Sequence, residues 1–249
     1  MTSQLKHVGM TACTLLLVMF ALGCSKTEGA AKGKELFGRC TNCHGEQGEG
    51  KREILAPAIA GLPAWYVENQ LEKYAKGWRG GHLNDVAGHR MRPMARTLVR
   101  PADSAKLLAE YVANMPPVDQ IDDMGGDAEN GQALFGQCTS CHGTKGEGQP
   151  DATRAGFLAA GKVWQTPNTK CEKTYNFSVA NFWAPPLNNA SAWYIVEQLK
   201  KFKKKWRGNH ECDHLGQQMY QWANNLSERD MTDVAAYLHS LRTTRTAGK

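Results

Sequence analysis

The segment CTNCH at residues 40–44 recurs almost unchanged as CTSCH at residues 138–142. Two cysteines three positions apart can each form a thioether bond to one of the two vinyl groups of a single haem, and the histidine that follows can direct its imidazole at the iron. Two such motifs predict two covalently bound haem c groups. The predicted residues are Cys40, Cys43 and His44 for one haem, and Cys138, Cys141 and His142 for the other.

Three other chemistries use paired cysteines. The two pairs could hold one zinc ion, one pair could be a redox dithiol, or each pair could close a local disulfide. Zinc does not explain why a histidine follows both pairs, and a redox dithiol of the thioredoxin type needs a βαβ context that the sequence lacks. Haem attachment is therefore the favoured interpretation, and the other three remain alternatives.

The two motifs lie in a duplicated unit. Residues 33–40 match residues 131–138 at an offset of 98, and residues 56–82 match residues 184–210 at an offset of 128, so the second copy holds an insertion of 30 residues. A segment rich in Pro, Gly and Asp joins the copies, as is typical of a linker. We predict a first domain at 31–117, a linker at 118–127 and a second domain at 128–242, with the insertion near 149–183.

Apolar residues in both copies recur at the spacing of one helix face. These residues are Val67, Leu71, Tyr74 and Trp78 in the first copy, and Ile195, Leu199, Phe202 and Trp206 in the second. Ser227 and Asp230 have the spacing of a capping box ahead of a last helix. No segment alternates as a strand does. We predict an all-α chain of two small helical domains, each around one haem.

The ligand opposite the proximal histidine decides whether an iron binds small molecules or only passes electrons. The candidates are His82, His89, Met91 and Met94 in the first copy, and His210, His214, Met219 and Trp222 in the second. A ligand shared by both copies should stand at a matching position, which leaves Met91 with Met219 or His82 with His210. We predict the two methionines, because small haem proteins place this ligand ahead of the last helix. We predict Met94 in the core, and the two histidines at the surface or against haem propionates.

The N-terminal segment has the features of a targeting signal. An apolar run at residues 10–22, too short to span a bilayer, ends in Ala21-Leu22-Gly23-Cys24. This ending resembles a bacterial lipobox in which Cys24 is lipidated, and Ser25 favours the outer membrane by the same resemblance. We predict a signal peptide with a lipobox over residues 1–24. Ordinary secretory cleavage and a retained anchor are alternatives, and all three place the rest of the chain outside the cytoplasm.

The composition is that of an ordinary soluble protein. Of 249 residues, 41% are hydrophobic and 22% are charged, with a formal net charge of +6. Nucleic acid is not an expected partner outside the cytoplasm. The segment LKKFKKKW carries Lys200, Lys201, Lys203, Lys204 and Lys205, which we predict to face solvent. They form either a solvated helix face or a docking patch for an acidic redox partner.

With these motifs, the chain resembles the dihaem class I cytochromes c of the c4 type over nearly the whole length after the signal peptide. The resemblance implies Met91 and Met219 as axial ligands. It also implies that backbone carbonyls of Pro57 and Pro185 accept a hydrogen bond from the axial histidines. Two basic residues, Arg79 and Arg207, each in a WRG segment, are implied to contact haem propionates.

The resemblance further implies a function. The chain would be a periplasmic electron carrier, tethered by lipid to the outer membrane of a Gram-negative bacterium. A quinol-oxidising complex or a dehydrogenase would donate electrons, and a terminal oxidase or reductase would accept them. Two alternatives remain open: a dihaem oxidoreductase acting on thiosulfate or peroxide, and a fixed electron-transfer subunit of a respiratory complex.

Two further cysteines have no counterpart in the first copy. Cys171 lies in the insertion, and Cys212 matches Asn84. In an oxidising compartment such a pair is most simply a disulfide, which would close a loop of about 40 residues and stabilise the fold by roughly 4 kcal/mol. The alternative makes one of them a thiolate ligand of haem iron, but Met219 already stands at the expected ligand position.

Overall fold

The structure is a computed structural model that describes residues 28–101, 103–118, 122–148 and 184–246. The predicted signal peptide with Cys24, and the insertion near 149–183 with Cys171, lie outside the described residues. Within the described ranges, the regular structure is helical, and the only pairing of extended backbone is an isolated antiparallel bridge between Lys51 and Ala56. The all-α prediction is confirmed. None of the described helices has the length and hydropathy needed to cross a membrane.

The described helices form two sets that repeat each other. The first set is α1 at 28–37, α2 at Thr41–His44, α3 at Ala64–Lys76, α4 at Val86–Val99 and α5 at Ser104–Asn114. The second is α6 at Ala128–Phe135, α7 at Thr139–His142, α8 at Ala192–Lys203, α9 at His214–Asn224 and α10 at Glu228–Thr246.

The first and last helices of each domain cross at a glycine. A Cβ atom on Gly33 of α1 would lie 2.5 Å from the backbone oxygen of Leu107 in α5, so only glycine allows this close approach. Beside the crossing, the rings of Phe37 and Tyr111 pack at 5.4 Å. The second domain repeats the crossing with Gly131 and Asp233, and the ring pair with Phe135 and Tyr237. The repeated segment from Gly33 to Phe37 thus positions the haem-attachment motif that follows it.

The predicted helix face is correct up to its last member. Val67, Leu71 and Tyr74 of α3 contribute to the core of the first domain. The helix ends at Lys76, because Gly77 takes a left-handed conformation with φ of 77°, so Trp78 lies beyond the helix. In the second domain, Lys205 stands at the position that matches Gly77 and takes the same left-handed conformation, with φ of 56°.

Two caps fix helix starts in the second domain. Ser227 and Asp230 exchange hydrogen bonds between their side chains and backbone N–H groups, at 2.8 and 3.1 Å, so the predicted capping box is confirmed. The start of α8 is capped from a distance. Asp122 of the predicted linker accepts hydrogen bonds from the backbone N–H groups of Ala192 and Trp193, at 3.0 and 2.7 Å.

Helices α3 and α8 carry the domain interface. Lys201 of α8 lies 2.7 Å from Asp85, which caps α4 in the other domain, and both side chains are buried. The prediction that the whole lysine run faces solvent is therefore wrong for Lys201, because a carboxylate from the first domain neutralises it inside the interface. Lys203, Lys204 and Lys205 are exposed as expected.

Candidate haem sites

The proximal histidines sit at the ends of the short helices α2 and α7. His44 is 6% exposed, and its Nδ1 lies 2.7 Å from the backbone oxygen of Pro57. Burial lowers the pKa of His44, against the opposing effect of this hydrogen bond. A neutral imidazole that donates Nδ1–H to Pro57 keeps the Nε2 lone pair for a metal. In the second domain, His142 Nδ1 lies 3.0 Å from the oxygen of Pro185.

In the two motifs, Cys43 and Cys141 are exposed, whereas Cys40 and Cys138 are partly buried. Burial, with the neighbouring Cys43, raises the pKa of the Cys40 thiol to about 11, whereas a redox dithiol needs a lowered pKa. Among the described side chains, no cluster of three or more His, Cys, Asp or Glu could hold a metal ion, so a shared zinc site finds no support. These thiols suit thioether formation better than thiolate chemistry.

One continuous cavity brings the predicted residues together. Its lining includes Cys40, Cys43, His44, Pro57, Arg79 and Met91 from the first domain, and Cys138, Cys141, His142, Pro185, Arg207 and Met219 from the second. Met91 and Met219 reach it from the matching helices α4 and α9. The prediction of Met94 in the core is wrong: this residue is 37% exposed and lines the same cavity, as does Trp222.

Arg79 and Arg207 lie buried where the domains meet. Arg79 donates hydrogen bonds to Gln70 of its own domain at 2.7 Å, and to Tyr194 and Gln198 of the other at 2.8 and 3.1 Å. Arg207 mirrors these contacts: it donates to Gln198 at 2.7 Å and reaches across to Gln70 at 3.3 Å. The predicted contacts of Arg79 and Arg207 with haem propionates would therefore lie at the interface between the two domains.

The charges of this interface fit carboxylate-bearing cofactors. Its buried cations are Lys73, Lys201, Arg79 and Arg207, and its buried carboxylates are Asp85 and Asp213. The lysines pair with the carboxylates, so the two guanidinium groups have neutral partners in the contacts above. The Nε atom of Arg207 is buried without a hydrogen-bond partner. Because a buried charge needs a counter-charge, this lining fits haem, whose propionates are anionic.

Two histidine–tryptophan stacks flank this interface. His82 stacks on Trp206 of the second domain with ring centroids 5.8 Å apart, and His210 stacks on Trp78 of the first at 5.6 Å. Both histidines are partly buried, and Met91 and Met219, not these rings, line the cavity. Sequence reasoning missed the interface altogether. A signal was present: each residue of these contacts stands 128 positions from an identical residue.

Among the described residues of the second domain, Cys212 is the cysteine that lies outside the CxxCH motif. Cys212 is buried and disulfide-bonded. Cys171, its predicted partner, lies outside the described residues, so the pairing stays a prediction.

Comparison with known proteins gives the same picture. The family model for cytochrome c matches residues 30–116 and again residues 128–242. Cytochrome c-552 of Acidithiobacillus ferridurans is 29% identical over 214 residues, covering 81% of this chain and 73% of the relative. A protein of Thiomonas intermedia named thiosulfate dehydrogenase electron acceptor is 28% identical over 210 residues, covering 80% of this chain and 76% of the relative.

A solved structure shows the same architecture. Cytochrome c4 of Acidithiobacillus ferrooxidans superposes with a TM-score of 0.52 at 28% identity, covering 81% of this chain and 98% of that structure. Its fold agrees with the two helical domains described above. The chain belongs to the cytochrome c family, as a dihaem electron carrier of the cytochrome c4 type with one covalently bound haem c in each domain.

Proposed function

We propose that Met91 and Met219 complete the coordination of the two irons, so that the protein passes single electrons without binding a substrate at iron. The observation that carries this proposal is the shared cavity, which brings each methionine to the same space as a CxxCH motif. Haem supplies an iron that changes between Fe(II) and Fe(III), and a methionine ligand favours the reduced form.

The other residues around the cavity hold the cofactors in place. Hydrogen bonds to Pro57 and Pro185 fix the orientation of His44 and His142 and raise their basicity. Arg79 and Arg207 supply buried positive charge for propionates, and each also holds the two domains together. The proposed domain bounds, 31–117 and 128–242, give each domain one CxxCH motif and one of the two methionines.

The arrangement of the two sites suits transfer through the molecule. Both line one cavity that reaches across the domain interface. An electron accepted at one domain therefore has a short path to the other, and the molecule can face its donor and its acceptor with different domains.

We propose a thiosulfate-oxidising dehydrogenase as the donor. Two relatives, from Thiomonas intermedia and Stutzerimonas stutzeri, are named thiosulfate dehydrogenase electron acceptor, at 28% and 25% identity. The alternative donor is a quinol-oxidising complex. In either case, the proposed acceptor is a terminal oxidase or reductase. An oxidoreductase would need an open or exchangeable iron site, and the paired methionines count against it. A fixed subunit of a respiratory complex would keep both methionines, and co-purification with such a complex would distinguish it from a free carrier.

The location follows from the N-terminal sequence. Residues 1–24 are proposed to direct export, with Cys24 carrying lipid that tethers the protein to the outer membrane from the periplasmic side. This places the carrier in the compartment where c-type haems are attached and where cysteines such as Cys212 are oxidised.

The proposal is tested with the purified ferric holoprotein. Its near-infrared methionine–iron absorption band should have the intensity of two ligated haems, with no high-spin signal. Mixing with a thiosulfate dehydrogenase and thiosulfate should then reduce both haems. A high-spin iron, or thiosulfate oxidation by the protein alone, would contradict the carrier function and favour an enzyme.

A further inference from the structure

The two helices that carry the predicted methionine ligands, α4 with Met91 and α9 with Met219, differ in charge. Helix α4 contains three arginines, whereas α9 contains no lysine, arginine, aspartate or glutamate. Beside the methionine, each helix nevertheless contacts the helix before it through a positively charged side chain. In the second domain, the preceding helix and the turn after it supply this charge. The contact is therefore kept in both copies, while the helix that carries the charge is exchanged.

In the first domain, the charge beside the methionine belongs to Arg92, which follows Met91. A Cβ atom on Gly77, where α3 ends, would lie 2.9 Å from Nη2 of Arg92, so the guanidinium group lies directly against the end of α3. A cation is stabilising there, because the C-terminal end of a helix carries a partial negative charge. One turn further along α4, Nε of Arg96 donates a hydrogen bond to the backbone oxygen of Ala75 at 3.3 Å. Two arginines thus attach α4 to α3.

In the second domain, the first of these contacts is reversed. Tyr220 stands at the position of Arg92, directly after Met219, and Lys205 stands at the position of Gly77. The ammonium group of Lys205 lies over the ring of Tyr220, 4.6 Å from the centroid, as in a cation–π contact. The cation therefore comes from the turn after α8, and its partner comes from the helix that carries the methionine.

The second contact is reversed as well. Lys203 of α8 stands at the position of Ala75, and it donates a hydrogen bond to the backbone oxygen of Leu226, two residues after the end of α9. Asn224 stands at the position of Arg96. A difference at only one member of this pair would leave the contact with two cations or with none. Because both members differ together, the contact between the two helices is what the domains have in common.

This attachment matters most for α4, because the helix contains a proline. Pro93, directly after Arg92, has no N–H group to donate to the backbone oxygen of His89, so α4 lacks one of its own hydrogen bonds across the turn that holds Met91. Helix α9 contains no proline. Arg92 and Arg96 contact α3 on the two sides of Pro93, and they therefore fix both parts of α4 on the same neighbour.

We propose that Arg92 and Lys205 are positioning residues for the two methionine ligands. Each one holds the helix with the methionine against the end of the preceding helix, and so keeps the methionine sulfur on its iron. The inference rests on the proposed function, in which Met91 and Met219 are the axial ligands, and it adds the residues that keep them in place. Arg92 is partly buried and Lys205 is exposed, so the effect should be larger in the first domain.

Added imidazole measures how firmly each methionine is held. It can bind ferric haem iron at this position only when the methionine has left, so its apparent affinity rises with the fraction of molecules in which the methionine is detached. The ferric holoprotein is titrated with imidazole while the near-infrared methionine–iron band is recorded. In a Met219→Ala background the band comes from the first domain, and in a Met91→Ala background it comes from the second.

The second domain supplies the variant for the first. Replacing Arg92→Tyr removes the cation and should raise the imidazole affinity of the first haem about tenfold. Adding Gly77→Lys returns a cation from the other side, and should bring the affinity back to within about threefold of the starting value. The control Arg100→Tyr removes the same charge from an exposed position directly after α4, and should change the affinity by less than about twofold.

Lys205→Gly is a second variant, in which backbone strain and ligand positioning act in opposite directions. Glycine removes the strain of a left-handed φ of 56°, so the variant is not expected to lose stability through its backbone. The imidazole affinity of the second haem should nevertheless rise about threefold, because the contact with Tyr220 is lost. Adding Tyr220→Arg recreates the arrangement of the first domain and should reverse the change.

Unchanged imidazole affinities in Arg92→Tyr and Lys205→Gly would overturn the proposal, even if denaturant unfolding showed a loss of stability, because these residues would then support the fold without holding the ligand. An equal effect of the Arg100 control, or failure of both added substitutions to reverse the changes, would also overturn it. The wild type decides the proposed function separately. If its band lacks the intensity of two ligated haems, the carrier proposal fails. If the band is complete and the variants bind imidazole like the wild type, only the positioning proposal fails.

Discussion

Lys73 of the first domain lies 2.6 Å from Asp213 of the second, and both side chains are almost fully buried. The same pair recurs in reverse as Lys201 and Asp85 at 2.7 Å. Each domain thus gives one lysine and one carboxylate to the other, as the subunits of a symmetric dimer do. The two domains of this one chain therefore form a self-complementary interface.

Replacing Lys73→Met should lower the free energy of unfolding of the holoprotein by about 3 kcal/mol, because Asp213 would remain buried without its partner. Lys76→Met is the matched control on the same helix. It loses a partly exposed ion pair with Glu72 and the contact of its ammonium group with the ring of Trp78, whose centroid is 4.9 Å away, and should change stability by about 1 kcal/mol. Denaturant unfolding followed by far-ultraviolet circular dichroism measures both. Equal losses would show that the interface pair adds nothing beyond a surface pair.

The interface should also weaken in acid. Burial alone would raise the pKa of Asp213, but the charge and hydrogen bond of Lys73 lower it below the ordinary value. For Asp85, burial alone would likewise raise the pKa, but the hydrogen bond and charge of Lys201 lower it below the ordinary value. Because the unfolded chain binds these protons at a higher pH than the folded one, the stabilisation is complete above about pH 4 and is lost as the pH falls through the lowered values.

This pH dependence is checked with Asp85→Asn, which removes the charge and leaves an oxygen that can accept the hydrogen bond from Gly88. The free energy of unfolding of the variant should lie below that of the wild type at pH 7, and the two should converge as the pH falls below about 4. A constant difference down to pH 2 would mean that the charge of Asp85 contributes no stability.

Replacing Met91→Ala should remove about half of the near-infrared methionine–iron band and produce one high-spin haem, because the iron of the first domain loses its proposed ligand. Met94→Ala is the control, since Met94 lies on the same helix and lines the same cavity. This control should keep the full band. Loss of the band in the Met94 variant alone would exchange the roles of the two residues.

Replacing Asp122→Ala should lower the free energy of unfolding by about 1 kcal/mol, because the first N–H groups of α8 lose their acceptor. Ser191 stands at the usual capping position of this helix, but its side chain makes no capping hydrogen bond and its Oγ is buried without a partner. Ser191→Ala should therefore be neutral or stabilising. Thermal unfolding of the holoproteins compares the two, and a greater loss in the Ser191 variant would contradict the assignment of the cap.

The local chemistry of this protein could be predicted from sequence because it depends on residues close together in the chain. Cys40, Cys43 and His44 form one turn of helix, and the capping box of Ser227 and Asp230 spans four residues. The helix face of Val67, Leu71 and Tyr74 follows from the 3.6-residue period. Each of these predictions needs only the geometry of a single helix. The haem-attachment motif also recurs at an offset of 98, and the helix face recurs at an offset of 128.

The tertiary structure decided what the charged residues do. Lys201 looks like its neighbours in LKKFKKKW, yet it is buried against Asp85, while Lys203 is exposed. Arg79 and Arg207 each contact a glutamine and a tyrosine of the other domain, and Asp122 caps a helix 70 positions away. The spacing of a lysine or an arginine along a helix is the same whether its side chain faces water or a second domain. Only the packing of the two domains removes it from solvent and supplies its partner, and the energy of a charge depends on that surrounding more than on its place in the chain.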